Sequence, residues 1–274
     1  MLKEWKMDMP KLVISVHGGT ENFDLSPKVR HTFGKGLVKA AETTGAWIVT
    51  EGINTGVSRY LGDAVKLYGT REFRRRYTVG IAPWGIIQNH SDLIGKDVNM
   101  PFDPQTQPLS CYLNSQHSHF LLVDDGTVGI YGRQLELRRR LERHIRLQKI
   151  HPRLRKGVPV LCVVMAGGPD VISVVLDYVK SVPQVPTVVY EGTGPAADLL
   201  AFMHKQTSTG RQLDPDIRED ILLRIQTTLG LDKAESNHIF KLLMECMDFR
   251  DSVSEGQKGD VFRHPRWRLA SSPH

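Results

Sequence analysis

Apolar residues along this chain gather into short runs, and between the runs they recur every third or fourth position. Short apolar runs bounded by turn formers read as buried strands, and the longer period reads as amphipathic helix. Six runs read as strands: Lys11–Val16, Ala46–Thr50, Tyr77–Ala82, His119–Val123, Val158–Met165 and Thr187–Tyr190. Helices are predicted at Pro27–Thr44, Val57–Tyr68, Gly132–Lys149, Val171–Lys180 and Pro195–His204. The first has Ser26 as N-cap, Pro27 at the opening helical position and Gly45 as its stop. In Gly132–Lys149 the apolar stripe is Leu137, Leu141 and Ile145. Strands separated by helices imply a Rossmann-like α/β fold, a parallel sheet with helices on both faces.

The pattern changes after Thr209. Asp214–Leu229 and Glu235–Met247 read as two helices with no strand between them, a short all-helical segment outside the sheet. From Arg250 the apolar period is lost, and the expectation is a disordered tail. The predicted organisation is therefore a lead-in over 1–9, an α/β domain over 10–206, a helical segment over 207–249 and the tail over 250–274. Residues 86–117 hold many turn formers and no strong period, and a loop of that length inside a domain is often functional.

Composition narrows the function classes. The start of the chain has no apolar core of a signal peptide, and the longest apolar runs, Leu12–Val16 and Val158–Met165, are far too short for a membrane span. The expectation is a cytosolic chain that forms no pore by itself. Cys111, Cys162 and Cys246 lie far apart and suit a reducing compartment; Cys162, mid-strand, reads as core packing. The net charge of +6 is local: residues 133–156 carry ten Lys/Arg against two acids, and residues 71–76 four Arg against one Glu. The rest of the chain is net acidic, and no aromatic residues alternate with the basic ones. A nucleic-acid partner is therefore not expected, and a solvated face or an acidic partner is.

Candidate chemistry sits in the strand-to-helix turns. Gly18/Gly19, Gly52/Gly56, Gly126/Gly129, Gly167/Gly168 and Gly192/Gly194 follow five strands, and in a parallel sheet these turns share one edge. Glycine lets backbone N–H groups approach a phosphate, and Thr20, Thr50, Thr55, Thr127 and Thr193 add hydroxyls there. The same glycines could equally make tight turns and nothing more. No GxGxxG fingerprint or phosphate-loop lysine is present. His117 and His119 could share a strand face, but no further zinc ligand stands at useful spacing. Ser15, Ser115 and Ser118 lack a nucleophile elbow.

The residues also carry a resemblance. Pro10–Gly19, Lys35–Ala41, Thr43–Ile48, Asn54–Val57, His117–Phe120, Asp124–Thr127 and Leu161–Val164 with Gly167-Gly168-Pro169 resemble the melastatin homology region of TRPM cation channels. Residues 5 to 205 are covered, and the helices to 249 resemble the start of the next homology region. Thr50–Gly56 and Leu93–Val98 look most like the kinase-fused branch, which conducts divalent cations including Mg²⁺ and Ca²⁺. The resemblance implies a SLOG-type α/β fold and a regulatory and assembly role on the cytoplasmic side of a tetrameric plasma-membrane channel, with other subunits or domains as partners. The chain itself would hold neither pore nor kinase.

In the ADP-ribose-gated member the crevice binds nucleotide. Carried over by motif, Thr50, Asn54, Tyr131 and Arg138 fall at or beside ligand contacts, Tyr131 to stack a base and Arg138 to pair with phosphate. The full candidate crevice is Gly18, Gly19, Thr20, Thr50, Asn54, Thr55, Gly56, Gly126, Thr127, Tyr131, Arg138, Gly192, Thr193 and Gly194. Two departures imply low affinity for ADP-ribose: Pro195 stands where an arginine is expected, and Glu51 where a glycine is. Related hydrolytic enzymes carry a glutamate at the position occupied here by Ile130. No catalytic residue is expected. The alternative is a stand-alone SLOG-type protein that binds or processes nucleotides.

Overall fold

The computed structural model describes residues 1–88, 90–98, 112–149, 157–207 and 215–256. Seven strands form one sheet in the order β4-β3-β2-β1-β5-β6-β7. They are β1 Leu12–His17, β2 Ala46–Thr50, β3 Thr78–Pro83, β4 His119–Val123, β5 Val160–Met165, β6 Thr187–Tyr190 and β7 Val253–Gly256. Eight helices are described: α1 Pro27–Thr44, α2 Gly56–Tyr68, α3 Arg71–Arg76, α4 Gln134–Leu147, α5 Pro169–Lys180, α6 Pro195–Gln206, α7 Pro215–Leu229 and α8 Lys233–Met247. Every residue of β1, β2, β3, β5 and β6 is buried, as near-continuous apolar strands covered on both faces should be. Among the described residues no helix is long and apolar enough to cross a membrane.

The chain divides into two compact units. The first holds Met1–Val13 and Gly34–Pro159. In it β2 pairs in parallel with β3, Val49 opposite Val79, and β3 with β4, Gly80 opposite Phe120. β4 ends the sheet and is only half-buried throughout. Gly52 has φ +71°, and a Cβ there would stand 2.6 Å from Gly80 Cα, so both the turn and the close approach to β3 need a glycine. The basic stretch 71–76, read only as a charge patch, is the short helix α3, capped by Thr70, whose Oγ1 accepts from Phe73 N at 3.3 Å. Much of the 86–117 loop, residues 99–111 with Cys111, lies outside the described residues. Its end is folded: Asn54 N donates to Tyr112 O at 2.7 Å, Asn114 N donates to Gly52 O at 2.7 Å, and Ile53 bridges Leu113.

The second unit holds Ile14–Phe33 and Val160–His274. β5 pairs in parallel with β6, and β6 with β7, Thr187 opposite Val253. Helix α8 opens on a capping box, Asp232 accepting from Glu235 N at 2.8 Å, and Glu235 accepting from Asp232 N at 3.2 Å. α8 packs on α5 and α7. Two expectations change here. The helices α7 and α8 form, but they do not leave the sheet behind, because the chain returns after them as β7. Arg250–Gly256, expected in a disordered tail, is a 3₁₀ turn followed by that strand. The tail from 257 to 274 lies outside the described residues.

Candidate functional site

In the first unit the β2–α2 turn is tied by side chains. Thr50 Oγ1 accepts from Gly52 N at 2.9 Å and from Ser58 Oγ at 3.1 Å. Its own proton therefore points to His117 Nε2, 2.8 Å away. The ring proton of His117 then sits on Nδ1, facing Asn114 Oδ1 at 3.3 Å. Asn114 Oδ1 also accepts from Gln116 N at 3.0 Å, and Asn114 Nδ2 donates to Asn54 Oδ1 at 2.9 Å. Thr50, Ser58, Asn114 and His117 are all buried. Burial pushes His117 down to about 4, so the ring is neutral at pH 7, as the proton count requires.

Arg138, on α4, is 0% exposed. Its Nε faces Glu142 Oε1 at 3.3 Å and its Nη2 donates to Val49 O at 2.8 Å. The half-buried Glu51 lies in its field: burial raises the Glu51 carboxyl above its ordinary range, and the guanidinium pulls it back. Between β4 and α4, Asp124 accepts from Gly126 N at 2.9 Å, and Asp125 accepts from Thr127 N at 3.1 Å and Oγ1 at 2.6 Å. Those bonds hold the Asp125 carboxyl below its ordinary range. Tyr131 is exposed. Thr55, N-cap of α2, makes no capping bond, and its Oγ1 and the Oε1 of Gln134 are buried without a hydrogen-bond partner.

The second unit is tied by backbone. Gly19 approaches Gly167, so that a Cβ on it would stand 3.5 Å from Gly167 Cα; Gly18 is buried and Thr20 half-buried. Thr193 Oγ1 accepts from Ala166 N at 2.8 Å and donates to Tyr190 O at 2.6 Å. At the start of α6 Pro195 has no N–H, while Ala196 N donates to Gly167 O at 2.9 Å and Ala197 N to Ala166 O at 3.1 Å. Gly192 N donates to Asp198 Oδ1 at 2.6 Å. Gly194, at φ +147°, would bring a Cβ within 3.0 Å of Ala166 Cβ. Deeper in this unit Ser15 Oγ, His17 Nε2 and Tyr178 OH form a buried triangle with sides of 3.0, 2.9 and 3.0 Å.

The two positions expected to receive a pyrophosphate do not fit one. The Arg138 guanidinium is enclosed by Glu142 and Val49 O, and the first N–H groups of α6 serve the 166–167 turn. Asp198, an acceptor itself, takes the Gly192 N–H. Thr50 and Asn54 are likewise engaged with their own neighbours. Sequence reasoning did not find the His117–Asn114 network, the Ser15–His17–Tyr178 triangle or the orphan Gln134 Oε1. His117-Ser118-His119 was visible as a motif, but its partner Thr50 stands 67 residues away. Among the described residues no group of three or more His, Cys, Asp or Glu could hold a metal.

Comparison with known proteins gives the same frame. A family model described as SLOG in TRPM matches residues 1–246. The human transient receptor potential cation channel subfamily M member 6 is 55% identical over 256 residues, 93% of this chain and 13% of that protein. Human subfamily M member 7 is 52% identical over 256 residues, 93% of this chain and 14% of that protein. A Caenorhabditis elegans transient receptor potential channel is 44% identical over 262 residues, 95% of this chain and 13% of its own length. The chain thus spans only 13 to 14% of the length of these relatives.

Proposed function

The chain belongs to the SLOG in TRPM family, and from that premise we propose that it is the amino-terminal regulatory and assembly module of a tetrameric melastatin-type cation channel, placed on the cytoplasmic side of the plasma membrane. The observation that carries this reading is the match of 93% of the chain to a small part of much longer channel proteins. The kinase-fused, calcium- and magnesium-permeable branch is the finer proposal, supported by Thr50–Gly56 and Leu93–Val98. The module is not an enzyme in this reading: the buried polar groups at its turns are committed to one another, which leaves no base poised for proton transfer.

A nucleotide, if one binds at the proposed crevice, binds weakly, because Arg138 and the 192–194 turn are already satisfied internally. The direct test is a chimera in which this chain replaces the matching segment of human subfamily M member 6. Tetramers and cation current are expected, with neither formed when the segment is deleted. A chimera that fails to assemble while its parent does would sink the proposal. Nucleotide hydrolysis by the purified chain would favour the stand-alone alternative instead.

A further inference from the structure

Twelve large apolar side chains are exposed among the described residues, and five of them, Val128, Ile130, Tyr131, Leu137 and Leu147, fall within residues 128–147. Scattered single exposures need no explanation, but a cluster does. The densest part is the loop between β4 and α4, where Val128 is 77%, Ile130 44% and Tyr131 43% exposed.

That loop is held in one shape. Asp124 and Asp125 bind the N–H groups of Gly126 and Thr127, Gly129 N donates to Gly85 O at 3.1 Å, and Arg133 pairs with Asp125 at 3.4 Å. A Cβ on Gly85 would meet Thr127 O at 1.9 Å, so the loop lies directly on the turn after β3. Three apolar side chains are thus presented to water by a backbone ordered in advance, which lowers the entropy cost of docking. The chain continues straight into α4, whose exposed face carries Arg139, Arg140 and Arg143 beside Leu137, with Glu136 the acidic residue there. Aromatic, apolar and arginine side chains together are the composition of an interface centre and its rim.

We propose that the β4–α4 loop and the outward face of α4 form a docking surface for an acidic polypeptide segment bearing apolar anchors. This rests on the channel reading above: the segment belongs to the part of the channel polypeptide that this chain does not span. Val128, Ile130 and Tyr131 seat the anchors, and Arg139 and Arg143 face the carboxylates. Charge decides against a lipid surface. Asp124 and Asp125 open the same loop, and Glu136 lies beside it, so anionic headgroups would meet carboxylates where the apolar residues insert.

The test uses the whole chain, its Val128→Ser/Ile130→Ser variant and its Arg139→Glu/Arg143→Glu variant. All three should melt alike, because the altered side chains are exposed. The probes are overlapping peptides from the remainder of human subfamily M member 6, a synthetic peptide alternating Glu and Leu, and phosphatidylserine vesicles. An acidic, apolar peptide of the relative should bind the parent chain and bind each variant about tenfold or more weakly. Binding of the synthetic peptide alone, with the same dependence on both pairs, would keep the surface and overturn the channel as its source. Peptide binding indifferent to both pairs, no peptide binding at all, vesicle binding at physiological salt, or a dimer of this chain abolished by Val128→Ser/Ile130→Ser would overturn the docking proposal.

Discussion

The turns of the two compact units solve one problem with different materials. Those of the first unit are held by side chains, several of them ionisable: Thr50 with His117, Asn114 with Asn54, Arg138 with Glu142. Those of the second are held largely by backbone groups and one hydroxyl: Ala196 N and Ala197 N on the 166–167 carbonyls, Thr193 Oγ1 between Ala166 N and Tyr190 O. A turn held by buried charge is intolerant of losing one partner and sensitive to pH. A turn held by peptide groups carries its fixing bonds in every sequence that can adopt its shape. The difference teaches that glycine-rich turns alike in sequence need not be alike in what they can offer a ligand.

The comparison can be broken most forcefully at the buried pair. Glu142→Ala leaves the Arg138 guanidinium buried with its charge uncompensated, and the expected loss is about 3–5 kcal/mol, read from urea unfolding. Arg138→Met with Glu142→Leu removes both charges and should cost far less. A double variant as unstable as the single one would mean that packing, not charge, holds α4 in place.

Acid should separate the two kinds of turn next. His117 is neutral in the folded state down to about pH 4, whereas an unfolded histidine takes up its proton near 6.5. Its contribution is therefore complete above pH 6.5 and is lost as pH falls from there to about 4, by roughly 3 kcal/mol in all. Glu51 runs the other way: its raised folded pKa means a contribution present at low pH and lost as pH rises through that value. Urea melts at pH 7 and pH 5 in a Glu51→Gln background isolate the histidine. His117→Gln in that background should flatten the slope, and an unchanged slope would remove His117 from the account.

The smallest expected effect lies in the second unit. Thr193→Val deprives Ala166 N of its acceptor and should cost about 1–3 kcal/mol. The loss should be equal at pH 7 and pH 5, since none of the groups involved titrates. A pH-dependent loss would show that the second unit is not the backbone-held one.

Much of the fold was legible because its strands are apolar on both faces and end in glycine turns. Lys11–Val16 against Leu12–His17, and Tyr77–Ala82 against Thr78–Pro83, differ by a residue at each end. β7 was not legible. Val253-Ser254-Glu255-Gly256 has a single apolar residue, and what makes it a strand is the open edge of β6, which no local pattern announces. α4 was legible as a helix but not in its orientation. The apolar stripe Leu137, Leu141, Ile145 suggested one buried face, whereas Gln134, Arg138, Glu142 and Ile145 are buried and Leu137 is exposed. The signal was there in another form, an arginine and a glutamate four residues apart on the same stripe as Gln134 and Ile145. The candidate positions Thr50 and Asn54 were read from their turn, but their partners come from residues 114–117, beyond a long intervening loop. Spacing along the chain carries no trace of such a pairing.

The place of β1 between β2 and β5 has a consequence for how the protein is made. β1 is the first strand to leave the ribosome, and its neighbour β5 begins only at Val160. At a synthesis rate of about 5–20 residues per second, the interval between the two is roughly 7 to 30 seconds. Through that time an apolar strand meant for the middle of a sheet has one flank without its mate. Newborn copies of this chain are therefore candidates for chaperone retention until the second half has emerged, and slower translation across residues 18–159 would prolong the exposure rather than relieve it.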